Sequence, residues 1–287
     1  MNGLEGRVAI VTGAAGAIGR ATVVELARAE VRVACVEPEG SPGLSTVVEE
    51  VGGLGGEVIG APADVTDPAQ VERMVGQVLV RWGEVAVLVN NAGQFRAIGA
   101  VWEVGPEAWW SDVGVNLFGA FVCCRAVLPG MLSAGHGTII NIAGGGFSGP
   151  YPGASAYASS KAALVRFTDS LAAELAKRGP KVRVHGLVPG LVRSALTEGA
   201  ASAPAGREWL SGISEGLAAG QDVQPASVAR AVLALITASS DALNGRVLYH
   251  TDDPDAVAAQ LAKDGTGDLF QLGYVRPPML PSGAPVA

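Results

Sequence analysis

Tyr157-Ala158-Ser159-Ser160-Lys161 sets a phenol and an amine four residues apart in an alanine-rich stretch. On a helix that spacing puts both side chains on one face, one turn apart. A free tyrosine titrates near pH ~10, too high for general acid–base work, and a cation within a few ångströms favours its phenolate. Lys161 is the expected cation. A Tyr-x3-Lys pair also arises by chance on solvent-facing helices, so its meaning depends on the elements that position it.

The first such element lies at the start of the chain, where Val8-Ala9-Ile10-Val11 runs into Thr12-Gly13-Ala14-Ala15-Gly16-Ala17-Ile18-Gly19 and then an apolar-periodic helix. Gly13, Gly16 and Gly19 recur at every third position. Without Cβ atoms the backbone can turn sharply and approach a pyrophosphate, whose charge is met by N–H groups at the helix N-terminus. In a chain with 40 glycines, the position of this turn between first strand and first helix carries more weight than the glycines themselves. Further on, the second strand ends at Glu37. A carboxylate there can accept hydrogen bonds from ribose hydroxyls and repels an added 2′-phosphate, which favours NAD over NADP. Neither Ala15 nor Pro38 offers such a phosphate a basic side chain. The plainer reading of Glu37 is a solvated loop acid.

Short apolar runs alternate with longer helical patterns, as βαβ units do. Strands are expected near 7–12, 31–36, 57–61, 85–90, 138–142, 182–188 and 246–250, and helices near 17–29, 46–51, 68–82, 107–134 (with a possible break), 157–178 and 225–237. The expected fold is therefore α/β: a doubly wound Rossmann-type parallel sheet of about seven strands with helices on both faces, in one domain over residues 1–252. Residues 253–287, which include the Pro-rich run 276–281, are read as a partly irregular C-terminal extension. The Ala-, Gly- and Ser-rich stretch 194–224 breaks the rhythm after a strand end. It reads as a mobile substrate lid or as an ordinary flexible loop.

The composition suits this reading. Of 287 residues 49% are hydrophobic and 16% charged, with only 6 Phe and 4 Tyr, so Val, Leu, Ile and Ala must build the interior, as in a buried parallel sheet. A net charge of −7 without a Lys/Arg cluster argues against nucleic acid and anionic membrane as partners and leaves a dissolved small molecule. Cys35, Cys123 and Cys124 are odd in number and lack metal-ligand spacing, so they are expected as reduced core residues, with no metal site. Residues 1–7 hold no signal-peptide run and no segment offers about 18 uninterrupted apolar residues, so a cytoplasmic location is expected.

With Asp64-Val65, Asn90-Asn91-Ala92-Gly93, Asn116 and Pro189-Gly190 added in order to the glycine turn and Tyr157-x3-Lys161, the chain resembles a core-type short-chain dehydrogenase/reductase from about residue 6 to 249. Singly, each piece has a plain structural reading: Asp64 near a helix start with Asp67 or Thr66 as N-cap, Asn90–Gly93 as a strand-ending turn, Asn116 as a polar residue inside a helix. The resemblance implies that Asp64 and Val65 flank an adenine, that Asn91, Ala92 and Gly93 shape the fourth strand's end beside the cofactor, and that Pro189, Gly190, Val192 and Ser194 touch the nicotinamide carboxamide. It implies Tyr157 as proton donor or acceptor for an alcohol/ketone pair. Lys161 lowers the phenol's pKa and holds the nicotinamide ribose, and Asn116 positions a water in the proton relay. It also implies a homodimer or homotetramer, with the helices at 107–134 and 157–178 at the interface.

One residue of the pattern is missing. The serine that polarises the substrate oxygen is expected thirteen residues before the tyrosine, where this chain has Gly144, and Ala143 beside it offers no hydroxyl. Loss of one such donor typically costs about 10²–10³ in rate. Ser148, Ser155 and the backbone N–H groups of Gly144–Gly146 are the nearby substitutes, with solvent exposure the plainer reading of Ser148. Three functions follow as alternatives: an NAD-dependent oxidoreductase that interconverts a secondary alcohol and a ketone, an NAD-binding homologue with little redox turnover acting as sensor or structural partner, and a non-redox isomerase or lyase in the same pocket. Trp102, Trp109, Trp110 and Trp209 are read as lining an apolar cavity or, more plainly, as core or interface contacts.

Overall fold

The computed structural model describes residues 3–178 and 181–264, so the Pro-rich run 276–281 lies outside the described residues. Seven strands form one sheet: β1 (Val8–Thr12), β2 (Arg32–Val36), β3 (Val58–Gly60), β4 (Val87–Asn90), β5 (His136–Ile142), β6 (Lys181–Val188) and β7 (Val247–Tyr249). All pairings are parallel. Their order is β3-β2-β1-β4-β5-β6-β7, so successive strands run outward in one direction from β1 and then in the other from β4. At that reversal the strands' C-terminal ends open a crevice, the place where such sheets hold ligands.

Alternation along each strand builds a core on each face of the sheet. Ala9 and Val11 of β1, Val33 and Cys35 of β2, and Val87 and Val89 of β4 enter one core. Their neighbours Val8, Ile10, Ala34, Val36 and Leu88 enter the other. The first core is covered by α1 (Ala17–Arg28) and α10 (Pro225–Thr237), which pack on each other. Helix α11 (Pro254–Asp264), in the stretch read as an extension, adds buried Val257, Ala258 and Leu261 to it. The second core is covered by α3 (Pro68–Trp82), α5 (Gly119–Ala134) and α6 (Ser155–Ala176). Helix α3 starts where Pro68 follows an Asp67 carboxylate that accepts from the N–H groups of Ala69 and Gln70, satisfying donors the helix itself cannot.

Three differences from the expected elements bear on the site. Helix α2 spans Pro42–Gly53, four residues earlier than its apolar periodicity suggests, because proline fits the first helical position. The expected run 107–134 divides into α4 (Pro106–Val113), a π-turn at Gly114–Phe118, and α5. The run as a whole has the length and apolarity of a membrane span, yet Val122, Cys123, Cys124, Val127 and Met131 are buried in the second core. The stretch 194–224 is a chain of short helices, α7 (Ala195–Ser202), α8 (Pro204–Trp209) and α9 (Ser211–Ala218), rather than a loop. Ser194 and Thr197 form a reciprocal capping box that starts α7, and Ala200, Ala201, Leu210, Ile213 and Leu217 are buried together. Such sparse apolar residues among Ala, Gly and Ser suffice because each lands on a buried face.

Candidate active site

At the crevice lies a cleft of about 750 Å³. One end is made by the turn between β1 and α1. Gly13 has φ +63°, and a Cβ on it would lie 2.9 Å from Ala92 Cα. A Cβ on Gly19 would overlap the Gly13 carbonyl. These two glycines let the turn close on itself and on the end of β4. Gly16 differs: it lines the cleft, and a Cβ there would meet only Gly13 O, at 3.3 Å. It is the N-cap of α1 and no side chain caps that helix, so the first-turn N–H groups are available to an anion.

The end of β4 is tied to this turn. Asn91 Nδ2 donates to the carbonyls of Thr12 and Gly13, both at 2.9 Å. The N–H groups of Asn91 and Ala92 donate to Thr12 Oγ1, both at 3.0 Å. Glu37, half-buried at the end of β2, accepts from Ala15 N–H at 2.7 Å. Burial pushes its carboxyl above the usual range and the Ala15 bond opposes that. Asp64 accepts from the N–H and hydroxyl of Thr66 at 2.8 and 2.7 Å. Asp64 and Val65 line the cleft beside Glu37. An uncapped helix start with open space over Gly16, next to a strand-end carboxylate, fits a dinucleotide's phosphates and ribose.

The other end is made by α6, β5 and the segment after β4. Lys161 is 4% exposed, and its Nζ donates to the Ile142 carbonyl at 2.9 Å. Burial pushes its pKa down to about 8. Nζ sits 5.6 Å from the Tyr157 ring centroid. Burial also pushes the Tyr157 phenol above its ordinary range, and the Tyr151 phenol and Asp112 carboxylate add to the shift. Lys161, expected to lower this pKa, is not among the groups that shift it here; desolvation sets the direction.

The Tyr157 ring stacks on Phe95, with centroids 4.2 Å apart and planes at 19°. A Cβ on Gly144 would overlap Tyr157 Oη and lie 3.1 Å from its Cζ. The hydroxyl thus stands in the volume that a serine at this position would enter. Ser155 is engaged elsewhere, accepting from Trp109 Nε1 at 3.1 Å, and Ser148 is exposed.

Of the residues singled out from the sequence, Gly13, Ala15, Gly16, Ile18, Glu37, Asp64, Val65, Asn91, Ala92, Gly93, Tyr157, Lys161, Pro189, Gly190, Val192 and Ser194 line this one cleft. Gly19 and Asn116 do not. Gly19 is packed beneath the turn. Asn116, 1% exposed in the π-turn, accepts from Gln94 N–H at 2.7 Å and donates to Gln94 O at 2.9 Å and Ser160 Oγ at 3.0 Å. Its donors are used on protein groups, so it holds the segment after β4. Ser194 similarly spends its hydroxyl on the α7 cap. Of the tryptophans read as cavity residues, Trp209 packs in the cluster with Tyr157 and Phe95, whereas Trp102 and Trp110 are 83% and 68% exposed.

Several residues at this end had no sequence signal of their own. Asp112 is fully buried and accepts from the N–H groups of Arg96 and Ala97, each at 3.0 Å. It stands four residues before Asn116, hence on the same helical side, which is the one clue the sequence held. Ser160 lies inside the Tyr157–Lys161 motif and bridges Asn116 to the Tyr157 carbonyl. A buried chain from Asn90 to Asn141 to Thr168, with bonds of 2.9 Å, joins β4 and β5 to α6.

The sequence profile described as short chain dehydrogenase matches residues 7–205, more than half of the chain. A 3-oxoacyl-[acyl-carrier-protein] reductase of Synechocystis sp. is 35% identical over 69% of this chain and 79% of its own. D-threitol dehydrogenase of Mycolicibacterium smegmatis is 33% identical over 84% and 90%. Among solved structures, a variant of actinorhodin polyketide ketoreductase with NADPH superposes with a TM-score of 0.75 at 34% identity, covering 85% of this chain and 95% of that one.

Proposed function

The chain belongs to the short-chain dehydrogenase family, and on that premise we propose that it interconverts a secondary alcohol and a ketone, with Tyr157 as the general acid/base. The observation that carries this reading is that Tyr157 and Lys161 line the same cleft as the glycine turn, so a proton-transferring phenol stands where a bound nicotinamide would reach. A nicotinamide dinucleotide held there supplies the hydride. Gly16 and the start of α1 receive its phosphates, Glu37 its adenosine ribose, and Lys161 its second ribose. Lys161, anchored on the Ile142 carbonyl, orients that ribose and brings positive charge to the site. The phenol, covered by Phe95, holds its proton in the absence of substrate and delivers it as negative charge develops on the ketone oxygen.

NAD is the cofactor we favour over NADP. Glu37 accepts from Ala15 N–H in the cleft, and its carboxylate repels a 2′-phosphate. The actinorhodin ketoreductase was solved with NADPH, and the NAD reading rests on Glu37 of this chain instead. A homodimer or homotetramer is also proposed: Phe118 and Phe121, 43% and 42% exposed on the helices read as the interface, form an apolar surface suited to a second copy.

Gly144 favours a second reading, a cofactor-binding homologue with little turnover, because no side-chain donor stands beside Tyr157 from that position. Titration with NADH and NADPH, followed by a panel of ketones and secondary alcohols, separates the two. Turnover with tighter NADH than NADPH binding supports the first reading. Tight binding without turnover on any substrate sinks it in favour of the second.

A further inference from the structure

We propose that Phe95 is a positioning residue for the Tyr157 hydroxyl and that Gly144 is its required counterpart, glycine being kept there to leave room for the phenol. The inference rests on the reading of Tyr157 as the proton-transferring group. Gly144 is buried and its φ is not positive, so its backbone would accept other residues. Space, not conformation, demands glycine. A Cβ would overlap Oη and crowd Cζ and Cε1 at 3.1 and 3.4 Å, and all three atoms belong to the phenol.

Both neighbours of this space are anchored. Ala143, just before Gly144, is locked to the sheet through its N–H on Leu187 O at 2.8 Å. Phe95, 6% exposed, is held from both sides in the chain. Gln94 is bonded through both backbone groups to Asn116, and the N–H groups of Arg96 and Ala97 converge on Asp112. Two buried side chains one helical turn apart thus fix the backbone on either side of Phe95. Its ring covers the face of Tyr157 and sets where the hydroxyl falls.

This assignment reverses the sign expected if Gly144 were only a lost donor. Restoring serine should harm the site, because the added Cβ displaces the phenol before any hydroxyl can help. Alanine should harm it as much. Relief should come from shaving Phe95, which lets the ring of Tyr157 move over.

The test is a double-mutant cycle on the full chain with G144S, G144A, F95L and G144S/F95L. Three measurements are made on each: thermal midpoint, kcat and KM for a ketone with NADH, and the 19F spectrum of fluorotyrosine-labelled protein. With 4 tyrosines in the chain, the Tyr157 line is assigned by its loss in Y157F. We expect G144S and G144A each to lower kcat by about tenfold or more while KM for NADH stays within about twofold. F95L added to G144S should recover at least about threefold, a coupling typical of residues in contact. The thermal midpoints should show the same non-additivity, and F95L should shift the Tyr157 line as the stacked ring is lost. G144S at or above the parent's turnover, or losses that simply multiply, overturn the proposal. If the parent chain reduces no ketone, the functional reading falls, and the thermal and 19F cycles decide the packing proposal alone: non-additive changes support it and additive ones overturn it.

Discussion

At the glycine-turn end of the cleft the chain works mostly with backbone: Gly13, Gly16 and Gly19 shape a turn that leaves the start of α1 without a capping side chain, and Asn91 stitches it to β4. At the reactive end it works with side chains. Tyr157, Phe95, Lys161, Asn116 and Asp112 come from separate elements and fix one another through stacking and buried hydrogen bonds. The first end needs atoms to be missing at set spacings, which leaves little room for variation. The second needs volumes to match, and one missing volume at Gly144 is taken up by another residue's hydroxyl. On the proposed reading, such a site would keep its binding half intact while its chemical half is rebuilt.

Four measurements break or sharpen that contrast. The largest effect is expected from Tyr157→Phe, which should lower ketone turnover by about 10²–10⁴ while the dissociation constant for NADH stays within about threefold of the parent. If binding collapsed as well, the two ends could not be treated as separate. Next is Gly19→Ala. Its methyl would overlap the Gly13 carbonyl, so thermal or urea unfolding should reveal a loss of about 1–3 kcal/mol, with weaker NADH binding. An unchanged midpoint would mean that the turn tolerates side chains and is less exacting than the reactive end.

Glu37→Gln should change the ratio of NADH to NADPH affinity by about tenfold in favour of NADPH, the equivalent of ~1.4 kcal/mol of charge repulsion removed. Direct titration of both cofactors checks it, and an unchanged ratio removes Glu37 from recognition. The smallest effect is one of pH. With its pKa pushed down to about 8 by burial, Lys161 is cationic below that pH and loses its charge as pH rises through it. NADH affinity should weaken by about threefold or more between pH 7 and 9.5, and the Lys161→Met variant should lack this step. An opposite or absent slope in the parent would show that the ammonium does not contribute to holding the anion.

Much of this was legible before any coordinates. All seven strands fall within two residues of their expected ends, because a parallel sheet buried on both faces requires continuous Val, Ile, Leu and Ala runs that stand out against helical periodicity. The turn was readable because glycine spacing after a strand is a local signal. The stretch 194–224 misled, since Ala, Gly and Ser also make short helices once Ser194 and Thr197 cap them and Ile213 and Leu217 find a buried face. The tyrosine's pKa misled too. A lysine four residues away predicts a lowered phenol, but desolvation of the half-buried ring, which the spacing cannot reveal, sets the opposite direction.

By itself the sequence determined the alternation of strands and helices, the glycine turn, the carboxylate at the end of the second strand, and the shared helical face of Tyr157 and Lys161, because each depends on residues within a few positions of one another. Only the tertiary structure decided that Asn116 and Asp112 would grip the backbone around Phe95, that Phe95 would cover Tyr157, and that the phenol would stand in the space over Gly144. Those are contacts between residues far apart in the chain. They arise from short-range repulsion and hydrogen bonding, which act only once the fold has brought the groups together.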